Sequence, residues 1–231
     1  MKVKILASGS TGNSYLLEGV KTRLLIDLGI KYNEIVKKCS FIVPPVALVT
    51  HSHMDHAKGV PEFLKNGGIV YGSTATAIEI SVDHYNYKPI QSQKSFEVGE
   101  FAIMPIQMVH GVECLGFVIT DGVDILLFFS DTDSCNYNLS GLTQLYVECN
   151  YSMADIDEET ADKHAMATMQ HMSLEDLILF LNRTDLSKVK KIVLIHNSES
   201  NLDKKKAIKL VQKTTGVPTY CASKNGGYYH E

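Results

Sequence analysis

Within six residues, His51-Ser52-His53-Met54-Asp55-His56, the sequence sets four groups that can ligate a metal ion. They come directly after Val46–Thr50, a β-branched run that reads as a buried strand. Composition alone would give His-x-His-x-Asp-His in roughly one such chain per thousand. The spacing makes chemical sense. Alternate side chains of an extended segment share a face, so His51 and His53 reach one ion. A turn into helix near Ala57 brings Asp55 and His56 toward a second. Imidazole with carboxylate suits zinc first, and also manganese or iron. A polar loop that happens to be rich in histidine is the bland alternative. It is opposed by the recurrence of ligand-type residues after later strands. His110 follows Ile103–Val109, Asp131 follows Ile125–Phe129, and His196 follows Ile192–Ile195. Each of these alone reads as a partly buried histidine or a turn aspartate. Together they give five histidines and two aspartates, enough for two ions sharing a carboxylate at the ~3.5–4 Å spacing of two-metal hydrolases.

Strand-like segments carry this set. Lys2–Ala7, Tyr15–Glu18, Arg23–Asp27 and Val46–Thr50 form one group. Phe101–Val109, Leu115–Thr120 and Asp124–Ser130 form another, with a turn at Gly122, and Leu145–Glu148 adds one more. Helical spacing appears at Lys58–Lys65, Thr74–Asp83, Asp157–Met169 and Ser173–Asn182. In the last of these Ser173 stands as N-cap and Asp176 as a first-turn acid. Lys191–Ile195 is a strand ending at His196, and Asp203–Thr214 is a helix stopped by Gly216-Val217-Pro218. No linker, fixed-period repeat or low-complexity stretch interrupts the chain, so residues 1–231 read as one α/β (α+β) domain with a layered core. Strand ends along one sheet edge are where such architectures place a site.

Composition bounds the function. The 231 residues are 45% hydrophobic and 21% charged, a globular balance that excludes disorder. A net charge of −4 gives no bulk attraction to nucleic acid, so any such contact needs a local patch. No apolar run reaches the ~18–20 residues of a membrane helix, and the apolar stretch at the N-terminus is too short for a signal segment. Five irregularly spaced cysteines without Cys-x-x-Cys read as reduced thiols of a cytoplasmic protein.

The cluster His51–His56, with His110, Asp131 and His196, resembles the metallo-β-lactamase fold superfamily. The resemblance implies an αββα four-layer sandwich with a dinuclear metal site on the sheet edge. It implies that His51, His53 and His110 hold one ion, that Asp55, His56 and His196 hold the other, and that Asp131 bridges them. Asp27, after Leu24-Leu25-Ile26, matches the superfamily's early aspartate, which supports a metal-bound imidazole without ligating. An ordinary strand-end turn is the alternative reading of that residue.

Three further stretches resemble a small bacterial and phage branch. That branch is related to DNA exonuclease-like proteins and, more distantly, to tRNA 3′-processing endonucleases. The first is Leu6-Ala7-Ser8-Gly9-Ser10-Thr11-Gly12-Asn13-Ser14, a turn whose backbone N–H groups and hydroxyls are available to an anion unless it is a plain β-turn. The second is His171-Met172-Ser173-Leu174-Glu175. In the phosphodiesterase branches a histidine before a helix lies near the scissile phosphate and donates a proton to the leaving oxygen. The basic residue that often precedes it there is missing from Ala165–Gln170. The third is His196-Asn197-Ser198, which matches the final histidine motif. His84 reads as solvated, and His164 and His230 carry no assigned role. Lys188, Lys190, Lys191, Lys204, Lys205 and Lys206 flank the His196 strand and read as a solvated face before they read as a nucleic-acid patch.

Three functions follow. The leading one is a phosphodiesterase or nuclease acting on DNA or RNA, in which a metal-bound hydroxide attacks phosphorus. Asp55 ligates and accepts a proton there, and His171 assists the leaving group. The second keeps the metals and takes a thioester or lactone, although Met153–Asn182 is short for the helical extension of glutathione thioesterases. The third is a non-catalytic metal-binding protein, which the full ligand set opposes.

Overall fold

The computed structural model describes residues 1–156, 170–223 and 226–229. In chain order the strands of the first half are β1 (Lys2–Ala7), β2 (Ser14–Glu18), β3 (Arg23–Ile26), β4 (Val46–Leu48), β5 (Ile69–Gly72) and β6 (Tyr87–Pro89). Between them lie α1 (Tyr32–Lys38), α2 (Met54–Ala57), α3 (Val60–Lys65) and α4 (Thr74–Glu79). The second half holds β7 (Phe96–Val98), β8 (Phe101–Met108), β9 (Cys114–Thr120), β10 (Ile125–Phe129) and β11 (Gln144–Glu148). It continues with α5 (Leu174–Arg183), β12 (Lys191–Ile195), α6 (Lys204–Thr215), β13 (Thr219–Cys221) and β14 (Gly227–Tyr228).

Among the described residues the strands make two seven-stranded sheets, ordered β14-β1-β2-β3-β4-β5-β6 and β13-β12-β11-β10-β9-β8-β7. Each begins as antiparallel hairpins and continues as parallel strands: β3 to β6 in one, β10 to β13 in the other. Parallel strands are covered on both faces, which explains continuous apolar runs such as Ile125-Leu126-Leu127-Phe128-Phe129. The two periods of that run go to different layers. Leu126 and Phe128 enter the core between the sheets, with Tyr15, Ile26 and Phe117. Leu127 and Phe129 face outward to Leu177, Phe180 and Val211 of α5 and α6. On the far side Leu25, Ala47 and Val70 meet Ile35, Val60 and Phe63 of α1 and α3. The result is the expected αββα stack, held by three apolar interfaces in which each fully buried Leu or Phe contributes about 1.5–3 kcal/mol.

Element boundaries moved where function intrudes. The expected helix Lys58–Lys65 is shortened to α3 (Val60–Lys65) and follows a separate one-turn α2, with Gly59 between them packing its backbone under Leu28 and Ile30. β4 stops at Leu48, and Asp27 lies just beyond β3. Ser173 caps α5 as expected, its hydroxyl accepting from the Asp176 N–H, and Gly216 ends α6 in the left-handed region at φ 72°. The expected helix Asp157–Met169, His164 and His230 lie outside the described residues.

Candidate metal centre

Strand ends deliver the site. Asp27, His51, Asp131, Glu148 and His196 follow or end the parallel strands β3, β4, β10, β11 and β12, and His110 follows β8. Three of them, Asp27 (φ 61°), Asp131 (φ 51°) and His196 (φ 52°), take the left-handed backbone that non-glycine residues avoid. This costs about 1–3 kcal/mol each and turns the side chains inward across the sheet edge. The Thr50 carbonyl accepts from the Leu115 N–H at 2.9 Å, tying the two sheets together beside the site.

The side chains form three overlapping clusters: two hold the seven expected ligands, and the third is Asp131, Glu148, His171 and His196. Ligand-type atoms of His51, His53, His110 and Asp131 lie within 4.8 Å of one another, and so do those of Asp55, His56, Asp131 and His196. Asp131 belongs to all three. Its Oδ2 faces His51 Nε2 at 3.6 Å, and its Oδ1 faces His56 Nε2 at 3.2 Å and His196 Nε2 at 3.4 Å. Asp55 Oδ2 lies 3.5 Å from His56 Nε2 and 3.4 Å from His196 Nε2. His110 Nε2 and His53 Nδ1 are 3.3 Å apart.

Neighbours fix the imidazole orientations. Asp27 Oδ2 takes His56 Nδ1 at 2.7 Å, and the Thr50 hydroxyl links Asp27 Oδ1 (3.0 Å) to His51 Nδ1 (3.0 Å). The Gln170 carbonyl takes His110 Nδ1 at 3.0 Å, and Glu148 Oε1 takes His196 Nδ1 at 3.1 Å. Holding Nδ1 on an acceptor leaves Nε2 free for a cation. Asp27 thus has a supporting part beyond a strand-end turn.

A buried polar atom without a partner suits a cation at this place. His51 Nε2 has no hydrogen-bond partner although the residue is completely buried. Such an atom carries a desolvation cost unless something binds it. Asp27, Asp131 and Glu148 are buried and Asp55 is half-buried, four carboxylates whose charge two divalent cations would balance. Burial pushes His51 well below the usual histidine range and so favours the neutral, ligating form. Burial also opposes charge on His196, but Asp131, Asp55 and Glu148 outweigh it and push that group up to about 10. The carboxylates therefore favour positive charge at this spot. Burial acts to raise Asp131, yet His196 and His56 hold it well below the usual carboxylate range.

His171 stands beside the two ligand clusters and within the third, its ring stacked on His196 with centroids 5.2 Å apart. Its Nδ1 is 2.7 Å from Glu148 Oε1. Burial works to lower the His171 pKa, but the hydrogen bond and charge of Glu148 outweigh it and leave the group raised. Beside His171 and His196 opens a cavity of ≈ 350 Å³, lined also by Ser10, Asn150, Asn197 and Ser198.

The structure brings all seven expected ligands and His171 together. Sequence reasoning passed over Glu148, Asn13, Thr50 and Asn150. The signal for Glu148 was a carboxylate closing an apolar strand, as at Asp27. Three N–H groups of the Ser8–Ser14 turn are used within the fold. Gly9 N–H goes to Asn13 Oδ1 (2.9 Å), Gly12 N–H to the Gly9 carbonyl (3.0 Å) and Asn13 N–H to the Asp55 carbonyl (2.7 Å). The turn braces the ligand segment, and the Ser8 hydroxyl accepts from the His196 N–H at 2.9 Å. Lys190 and Lys191 sit at the start of β12, the end away from His196, and Lys190 pairs with Asp124 at 3.1 Å. Lys204 pairs with Glu199 and Lys206 with Asp155, as a solvated face would. His84 is half-buried and accepts from the Asn86 N–H at 3.1 Å, so it is less solvated than expected. Cys114 is buried with Sγ 3.8 Å from His51 Nδ1, outside all three clusters.

The family model for the beta-lactamase superfamily domain matches residues 35–197, and the chain belongs to that family. It is similar to the exodeoxyribonuclease WalJ of Streptococcus pneumoniae serotype 2 (strain D39), with 28% identity over 224 residues, 87% of this chain and 82% of WalJ. Its fold matches the metallo-β-lactamase fold protein YhfI of Bacillus subtilis at a TM-score of 0.74, with 18% identity and 99% of both chains covered. A diphosphatase of the PhnP family aligns at a TM-score of 0.73, with 13% identity over 100% of this chain and 97% of its own. The fold is the metallo-β-lactamase sandwich, and its His/Asp clusters are able to bind metal ions. No described helix is long and apolar enough to cross a membrane.

Proposed function

We propose that this protein is a two-metal phosphodiesterase that cleaves DNA, with RNA the alternative polymer. His51, His53 and His110 would hold one cation, Asp55, His56 and His196 the other, with Asp131 shared. Zinc suits this donor set best, ahead of manganese and iron. When bound, the cations supply Lewis acidity toward a phosphoryl oxygen and lower the pKa of a water molecule. The chain's own residues do the rest. Asp55, half-buried at the edge, accepts a proton as well as ligating. Glu148 keeps His171 protonated on Nδ1 and aims Nε2 away from itself, so His171 hands a proton to the leaving oxygen. The cavity beside His171 receives the leaving group.

The observation that carries this reading is the Glu148–His171 pair set next to the two ligand clusters. A proton donor for an alkoxide leaving group is what phosphodiester cleavage needs beyond metal ions. The likeness to an exodeoxyribonuclease supports DNA as the substrate. In this reading the whole chain, 1–231, works as one catalytic domain. The cysteines are free, which suits the reducing cytoplasm. Purified protein loaded with zinc or manganese should cleave bis-p-nitrophenyl phosphate and single-stranded DNA, and leave thioesters intact. Absence of phosphodiester cleavage with zinc, manganese and iron alike would overturn the reading.

A further inference from the structure

Two cavities open beside the candidate metal centre, and no residue lines both. The one at His171 and His196 is walled largely by serine and asparagine. The other, of ≈ 580 Å³, lies at His53 and is walled by Met54, Ala57, Pro61, Ile80 and Val112. Its place follows from the ligand motif. Met54 and Ala57 stand three apart in α2 and share a face, while Asp55 and His56 between them turn to the metal centre. A row of imidazoles joins the two cavities: ring centroids are 5.0 Å apart for His53 and His110, 6.0 Å for His110 and His171, and 5.2 Å for His171 and His196. The charged groups in the wall at His53 are Lys58 and Glu79, of opposite sign, and the Ser52 hydroxyl donates to Glu79. This cavity therefore has no net charge to offer a phosphate. Met54 is exposed in it, although it is a large apolar side chain.

We propose that the cavity at His53 seats the base of the nucleotide that keeps the phosphate. The proposal rests on the phosphodiesterase reading above and assigns the two sides of the scissile bond. A phosphodiester has two arms on one phosphorus. His171 protonates the leaving oxygen, which puts the leaving arm in the serine- and asparagine-rich cavity beside it. The retained arm then runs to the other end of the imidazole row, across His53. A nucleobase is neutral and flat, with faces that bury well against apolar groups. The Met54 thioether and the branched carbons of Ile80 and Val112 contact such a face without reading its edge, so the cavity takes every base. A base stacked inside a duplex cannot enter, so the substrate is single-stranded at this nucleotide.

Two esters that both release p-nitrophenolate test the assignment on the zinc-loaded full chain. Thymidine 5′-(p-nitrophenyl phosphate) carries a base on its retained arm, and methyl p-nitrophenyl phosphate carries none. Wild-type kcat/KM should favour the thymidine ester by about 10-fold or more, mostly through KM. Met54→Ala should cut that preference by roughly 3–10-fold and Val112→Asp by more, with kcat/KM for the methyl ester held within about twofold. The emission of 2-aminopurine deoxyribonucleoside 5′-monophosphate should change on binding the wild type, and Val112→Asp should bind it about 5-fold or more weakly. Equal cleavage of the two esters by the wild type, or a preference that survives both substitutions, overturns the proposal and leaves the phosphodiesterase reading intact. A variant that loses both esters alike disturbs the metal centre and also counts against the assignment. A chain that sediments as a dimer, with Met54→Ala monomeric, gives the cavity to a second copy and overturns the proposal too. A wild type that cleaves neither ester sinks the phosphodiesterase reading and this proposal with it.

Discussion

Glu148 Oε1 lies 2.7 Å from His171 Nδ1, and the same carboxylate is completely buried at the end of β11. Its other oxygen accepts from the Thr132 and Met172 N–H groups at 2.8 and 3.3 Å. These bonds fix the carboxylate and favour its charged form, which in turn favours the protonated form of His171. A proton donor acts only while protonated, so activity should fall as pH rises through the His171 pKa. Glu148 raises that pKa, which moves the alkaline limb of the profile upward. In Glu148→Gln the charge is gone, and the alkaline limb should shift to lower pH. A limb that stays in place would remove His171 from the role of acid.

Replacing His171 itself separates acid catalysis from metal binding. His171→Ala should lower kcat on DNA by ~10²–10⁴, the usual worth of a positioned acid. The loss should be much smaller on bis-p-nitrophenyl phosphate, because p-nitrophenolate leaves without a proton. Zinc content, measured by atomic emission, should match the wild type.

The Asp27–His56 contact of 2.7 Å would hold the ring of a proposed ligand in place. Asp27→Ala frees the His56 ring and leaves the Thr50 hydroxyl without its acceptor. Metal affinity should fall by about 10–100-fold. Equilibrium dialysis against buffered zinc would show it, and unchanged affinity would make Asp27 a turn residue after all.

Much of the fold was legible because its strands alternate between two buried layers. Leu24 and Ile26 against Leu25 is such a pattern, and the turns between the early strands are rich in glycine. Shorter elements gave no pattern. α1 buries only Ile35, so no helical stripe marks Tyr32–Lys38. β5 and β6, with four and three residues, are too brief for periodicity. The seven candidate ligands could be read because each sits at the end of a readable strand or in one dense motif. Asn13 could not, since its part depends on a partner 42 positions away in Asp55. Its turn offers donors in the sequence, and only the fold shows that the Gly9, Gly12 and Asn13 N–H groups are already used.

Gly29 ties the same two segments through the backbone. Its N–H donates to the Asn13 carbonyl at 2.8 Å, and a Cβ at this position would overlap the Asp55 carbonyl. The obstacle is backbone, so it cannot rotate away. Gly29→Ala should destabilise the protein by about 1–3 kcal/mol and reduce metal content, since the displaced segment carries Asp55 and His56. Thermal melts with and without zinc would register both effects. A variant that melts like the wild type in both conditions would show that the segment yields freely.

Anomalous diffraction at the zinc edge, from crystals of the zinc-loaded protein, tests the central claim most directly. Two peaks should appear, one among His51, His53 and His110 and one among Asp55, His56 and His196, with Asp131 reaching both. Peaks elsewhere, or none near these side chains, would contradict the account.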